Sequence, residues 1–230
     1  MNRNLGKQHS LSNVLIIAGI GTDVGKTVAS AIVTESLESD YWKPVQAGNL
    51  DCTDSDVVRS LISNPHTKIH PEAYRLTQPI SPHAAAPLDD IKIILENIIL
   101  PGTNRHIVVE LAGGIMSPLN ATQHNIHLMK KLDAPVILVS KNYLGSINHT
   151  LLTVEVCKVS GLHIAGIIFD GIKTPSSEDY ILQYCDVPVI GRINLEEQIT
   201  PTIVRRYAEL MRDHLHNIID SPGNTLLDAR

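Results

Sequence analysis

The chain has 230 residues, 43% of them hydrophobic and 19% charged, which is enough for one full core and makes a single domain the default. Its formal net charge of −5, with no Lys/Arg cluster longer than two residues, excludes a basic nucleic-acid-binding surface. The apolar run Val14–Ile20 is too short to span a membrane and runs straight into Gly, Asp and Lys rather than a signal-peptide cleavage site. Aromatic residues are only 3%, so Val, Ile, Leu and Ala must fill the core, as in a parallel sheet covered by helices. Cys52, Cys157 and Cys185 are far apart and show no metal spacing, which fits a reducing cytoplasm.

Taken in chain order, residues 1–12 are polar and expected to form a flexible N-terminus. NVLIIAG (13–19) reads as a buried strand, and KTVASAIVTESLES (26–39) has helical spacing. YWKPVQAG (41–48) reads as a short strand ending in glycine, and TDSDVVRSLIS (53–63) as a helix capped by Thr53 or Asp54. PISPHAAAPL (79–88) is a proline-punctuated loop, followed by an expected amphipathic helix, DDIKIILENIIL (89–100). RHIVVELAGG (105–114) is a strand breaking into glycines, NIHLMKKLD (125–133) a helix and APVILVSKN (134–142) another buried strand. SINHTLLTVEVCKVSG (146–161) reads as a helix with Ser146 as N-cap and a glycine stop. The strand LHIAGIIFDG (162–171), the helix SSEDYILQYC (176–185), the strand VPVIGRI (187–193) and a long helix over 200–220 complete the domain, 13–220. The tail 221–230 is expected to be disordered. This βα alternation, with roughly six or seven strands, predicts a doubly wound, mostly parallel α/β sheet flanked by helices.

In such a sheet, ligands lie beyond the carboxyl ends of the strands. The segment there after the first strand is GIGTDVGKT (19–27). A triphosphate needs inward-pointing backbone N–H groups, a helix N-terminus and a mobile cation. Gly21 and Gly25 let the backbone approach, Lys26 can reach the phosphates, and the Thr27 hydroxyl can hold Mg²⁺. The spacing is unusual, since Gly19 stands one residue too early and Gly21 one too late for the common phosphate loop. Glu110 ends the run HIVV, where an unpaired buried carboxylate would be costly and a metal ligand would not.

Counted from Gly19, the loop resembles the expanded phosphate loop of the dethiobiotin synthetase family, with Gly19, Thr22, Val24, Gly25, Lys26 and Thr27 matching. KPVQAG (43–48), SD (55–56), SPHAAA (81–86), VVELAGG (108–114) and LGSINHTLLT (144–153) resemble further family segments in the same order. The resemblance implies a P-loop-type ligase that uses ATP with Mg²⁺, CO₂ and 7,8-diaminononanoate to close the ureido ring of dethiobiotin. It assigns nucleotide contacts to Thr22, Asp23, Val24, Gly25, Lys26, Thr27, Val28, Asp56, Glu110, Leu111, Ala112, Gly113, Asp170 and Gly171. It assigns Mg²⁺ to Thr27, Asp56 and Glu110, with Asp51 and Asp54 as competitors for the place of Asp56, and gives Lys26 and Lys43 the anionic reaction centre. Ala47 and Leu144, Gly145, Ser146, Ile147 and Asn148 would meet the substrate, the last five from a neighbouring subunit of a homodimer. Leu111, Ala47, Tyr143 and Asp170 depart from the family pattern. Asp170 replaces an Asn that suits adenine, and an ionised carboxylate can only accept hydrogen bonds. The competing readings are a partition-type ATPase, which would carry an early loop lysine that residues 19–22 lack, and another amide-forming P-loop synthetase.

Overall fold

A computed structural model describes residues 13–220 of the chain. The expectations of a flexible 1–12 and a disordered 221–230 lie outside the described residues. The first strand, β1 (Val14–Gly19), is buried at every position, because it runs through the middle of a sheet covered on both faces. It is followed by α1 (Lys26–Leu37), β2 (Asp40–Trp42), β3 (Val45–Ala47), α2 (Asp54–Leu61), β4 (Ile69–His70), β5 (Tyr74–Leu76) and the short helix α3 (Pro82–Ala85). Then come β6 (Ile107–Gly114), α4 (Asn125–Leu132), β7 (Val136–Lys141), α5 (Ser146–Val159), β8 (Ile164–Asp170), α6 (Pro175–Cys185), β9 (Val189–Ile193) and α7 (Pro201–Asp220).

Seven strands form one parallel sheet in the order β4-β2-β6-β1-β7-β8-β9, and β3 and β5 form a separate parallel pair. Successive side chains of β1 point to opposite faces, so the strand feeds two cores. Leu15 and Ile17 pack with Ile32 of α1, Val58 of α2 and Val204 and Met211 of α7. Ile16 and Ala18 pack on the other face with Met129 of α4, Cys157 of α5 and Ile181 of α6. The order reverses around β1, whose neighbours β6 and β7 both follow it in the chain, and a crevice opens there at the carboxyl edge. Among the described residues no helix is long and apolar enough to cross a membrane.

The parallel fold follows the sequence expectation, with four local differences. The segment 41–48 is not one strand: Trp42 ends β2, and the chain passes through Lys43 and Pro44 into the second sheet. The proline-rich loop contains α3, with Pro82 in its first turn where a missing N–H costs nothing. The expected helix over 89–100 is absent, and two 3₁₀ turns at Ala86–Asp89 and Leu95–Asn97 flank non-helical chain. Asp90 adopts a left-handed conformation, and Lys131 of α4 donates to the carbonyls of Leu95, Glu96 and Ile98 at 2.8, 3.0 and 2.9 Å, taking acceptors that a helix would use. The β-branched run of isoleucines adds little helical preference to resist this. Finally, Gly145 rather than Ser146 caps α5; Ser146 is its first helical residue.

Candidate active site

The phosphate loop is built around Gly19. A methyl group there would lie 2.6 Å from Val24 Cγ2 and 3.0 Å from the Lys26 stem, so the lysine side chain runs back across this glycine. The loop is therefore anchored at Gly19, with one residue more than the common spacing before Gly25, Lys26 and Thr27. Lys26 Nζ donates to the Gly21 carbonyl at 2.7 Å, which folds its ammonium over the loop. Gly25 caps α1 with φ of 89°, a conformation that L side chains disfavour, and a Cβ there would also lie 2.7 Å from the Asp170 carboxyl carbon. A glycine cannot cap the helix with a side chain, so the first-turn N–H groups remain open to an anion. Burial pulls the Lys26 pKa down to about 8, although Glu110 opposes the shift.

Glu110 lies opposite Ile17 in the sheet and is fully buried. Its Oε1 accepts from Thr27 Oγ1 and from Lys43 Nζ, both at 2.9 Å, and its Oε2 accepts from the Tyr41 hydroxyl at 2.9 Å. Lys43, itself 4% exposed, also pairs with Asp54. Burial disfavours each charge, but the pairing outweighs it. Lys43 is held above its ordinary pKa by Glu110 and Asp54, and Glu110 below its own by Lys43. Tyr41 is pushed well above the usual phenol range by burial and by the neighbouring Glu110, so it stays a hydrogen-bond donor.

Asp56, expected among the ion ligands, does not reach this cluster. It closes a capping box with Thr53, accepting from the Thr53 N–H at 3.0 Å, and pairs with Arg59 at 2.5 Å. Those bonds, with that of the Thr53 hydroxyl first, hold its pKa low. Asp54, at the start of α2, is the carboxylate that turns inward. Thr27, Asp54 and Glu110 offer only hard oxygen donors, and an ammonium already lies between the two carboxylates, so the residues fit Mg²⁺. Among the described residues no cluster of three or more His, Cys, Asp or Glu forms a metal cage. Such a sparse protein set suits Mg²⁺, which keeps waters and phosphate oxygens in its shell.

These groups face a cleft of about 760 Å³. Thr22, Asp23, Val24, Gly25, Lys26, Thr27 and Val28 line one side. Lys43, Ala47, Asp54, Glu110, Ala112 and Gly113 also line it, as do Asp170 and Gly171, the Asp170 carboxyl lying close to Gly25. Leu111 does not reach the cleft, because its side chain points to the opposite face of β6 and sits in the core. Burial raises the Asp170 pKa, against the pull of Lys141 and Arg192, and no described residue donates to its carboxylate. Leu144, Gly145, Ser146, Ile147 and Asn148 lie outside this cleft, and the Leu144 side chain is fully exposed.

Sequence reading missed Tyr41 and the wall formed by Asn194, Leu195, Glu196 and Ile199. One miss had a local signal. Thr53-x-x-Asp56 is the spacing of a capping box, which consumes Asp56 and leaves Asp54 free.

The family model described as an AAA domain matches residues 13–202. Proteins named ATP-dependent dethiobiotin synthetase BioD from Christiangramia forsetii and Cytophaga hutchinsonii are 49% and 47% identical to this chain. The two alignments cover 88% and 86% of this chain and 97% and 96% of those proteins. Among solved structures, a ParA family ATPase from Chlorobium tepidum TLS aligns with a TM-score of 0.54 at 13% identity, over 90% of this chain and 97% of its own. The Aquifex aeolicus MinC:MinD cell division protein complex gives 0.54 at 14% identity, over 90% and 96%. At those identities the structural likeness concerns the fold alone.

Proposed function

Because the chain belongs to the ATP-dependent dethiobiotin synthetase family, whose members are C–N-bond-forming ligases, we propose that this cleft closes the ureido ring of dethiobiotin. The substrates are ATP, CO₂ and 7,8-diaminononanoate, and the products dethiobiotin, ADP and phosphate. One amine of the diamine attacks CO₂ and loses a proton, giving a carbamate. A carbamate oxygen attacks the γ-phosphorus and ADP leaves. The second amine then attacks the carbonyl carbon, and phosphate departs as the ring closes.

Little covalent work falls to the protein in phosphoryl transfer, where catalysis is positioning and charge neutralisation. The open N–H groups of α1 and Lys26 receive the phosphates. Thr27, Asp54 and Glu110 would hold Mg²⁺, which neutralises charge on the transferred phosphoryl group when bound. Lys43 stabilises the carbamate and the charge that develops as it attacks. The observation that carries this reading is the convergence of Lys43, Thr27 and Tyr41 on the buried Glu110 beside the phosphate loop, in one cleft.

The N-terminus of α5, outside the lining of its own cleft and led by an exposed Leu144, supports a homodimer in which Leu144–Asn148 of one chain receives the substrate carboxylate at the other. Free cysteines and the absence of a spanning helix among the described residues support a cytoplasmic setting. The test is ADP release by the purified protein with Mg-ATP and bicarbonate, with and without the diamine, together with mass detection of dethiobiotin. ADP release that is no faster with the diamine, with no dethiobiotin formed, overturns the reading.

A further inference from the structure

The Lys43 ammonium lies between the carboxylates of Asp54 and Glu110. It shares Glu110 Oε1 with the Thr27 hydroxyl, each at 2.9 Å. The three oxygen-bearing side chains suited to a divalent cation therefore already surround a positive charge supplied by the chain itself. That charge cannot serve two places at once. While it satisfies Asp54 and Glu110, it is not available to a carbamate in the cleft.

The charge balance decides what happens when a second cation enters. Two carboxylates and one ammonium leave a net charge of −1. A divalent ion added with the lysine still in place would leave +1 in a buried pocket, with two cations in contact. If the lysine withdraws, the two carboxylates and the ion balance to zero. Like charges at contact repel strongly in a desolvated site, so withdrawal is the favourable outcome.

We infer that Lys43 is a built-in occupant of the divalent-cation position, displaced into the cleft when that ion binds, so that its ammonium reaches the anionic substrate only in the metal-loaded protein. The local structure permits the movement. Lys43 stands at the joint between β2 and β3, outside both strands, and already lines the cleft on a flexible four-carbon stem. Tyr41 meanwhile keeps its hydrogen bond to Glu110 Oε2, so the carboxylate stays fixed as the lysine leaves. The use made of the freed ammonium rests on the ligase reading above. The exchange itself does not.

The test uses Mn²⁺ as the probe ion, followed by electron paramagnetic resonance on the nucleotide-free protein. Lys43→Met keeps the apolar stem and removes the competing charge, and it should bind Mn²⁺ about tenfold more tightly than the unaltered chain, or better. Adding Glu110→Gln to that variant should abolish the gain. Affinity equal to or weaker than that of the unaltered chain overturns the inference. Should Lys43→Met fail to fold, the unaltered protein carries the test. Reductive methylation of Lys43, quantified by peptide mass spectrometry, should rise severalfold with saturating Mg²⁺, and unchanged or reduced labelling overturns the inference. Diamine-dependent ADP release, assayed in parallel, separates the two ideas: exchange without turnover sinks the ligase reading alone, and turnover without exchange sinks this one alone.

Discussion

Two helices, α1 and α5, begin at the carboxyl edge of the sheet, after the adjacent strands β1 and β7 and on opposite faces. Each begins at a left-handed glycine, Gly25 with φ of 89° and Gly145 with φ of 101°, and neither has a side-chain cap. Both thus present open N–H groups to an anion. Their surroundings differ. The first turn of α1 is walled in by buried Lys26, by Glu110 and by the Asp170 carboxyl, whereas α5 opens beside exposed Tyr143 and Leu144. The same backbone device becomes a reaction centre only where charge and burial are added to it. At α5 the same device stands without either.

The sharpest way to break this contrast is to remove the charge that defines the α1 side. Glu110→Gln should lower diamine-dependent turnover by about a thousandfold or more, measured as ADP release, because it disturbs the ion site and the anchor of Lys43 together. The two glycines separate conformation from crowding. Gly25→Ala should cost about 2–3 kcal/mol in urea unfolding, from left-handed strain plus the clash with Asp170. Gly145→Ala, where the nearest atom to a Cβ is 3.9 Å away, should cost about 1 kcal/mol. Equal costs at the two sites would refute the contrast.

A third prediction concerns pH. Burial holds the Lys26 pKa down to about 8, so the free protein loses this charge as pH rises through that value. Bound phosphate favours the charged form, so binding above pH 8 must also take up a proton. ADP affinity, measured by calorimetry in EDTA, should be flat below pH 8 and weaken about tenfold per pH unit above it. The smallest effect is expected at Asp170. An amide both donates and accepts where a carboxylate only accepts, so Asp170→Asn should raise the preference for ATP over GTP by roughly tenfold or less in competition turnover assays.

The βα order was legible because strands buried on both faces read as aliphatic runs, and β1, β6, β7 and β8 each open on one. The phosphate loop was legible because its chemistry lies within nine consecutive residues. What escaped was set by distant partners. The Tyr41 hydroxyl meets a carboxylate 69 positions away, which no local pattern records. Isoleucines over 91–98 mimic helical spacing, yet Lys131 takes the carbonyls of Leu95, Glu96 and Ile98 from another element. The far wall of the cleft depends on Glu196, which accepts from Arg206 at 2.6 Å and from Tyr207 at 2.5 Å on α7. Which of Asp54 and Asp56 turns towards Lys43 depends on one capping geometry rather than on composition.

The chain first leaves the main sheet at Trp42 and enters the small one at Val45, with Lys43 and Pro44 at that joint, and it crosses the same way again over 71–73, from β4 to β5. The nucleotide machinery belongs to one side of that joint, and the plank of β3, β5 and α3 to the other. Changes in the loops of the plank would therefore leave the phosphate loop, Thr27 and Glu110 in place. The lysine at the seam is the component that both halves have to keep.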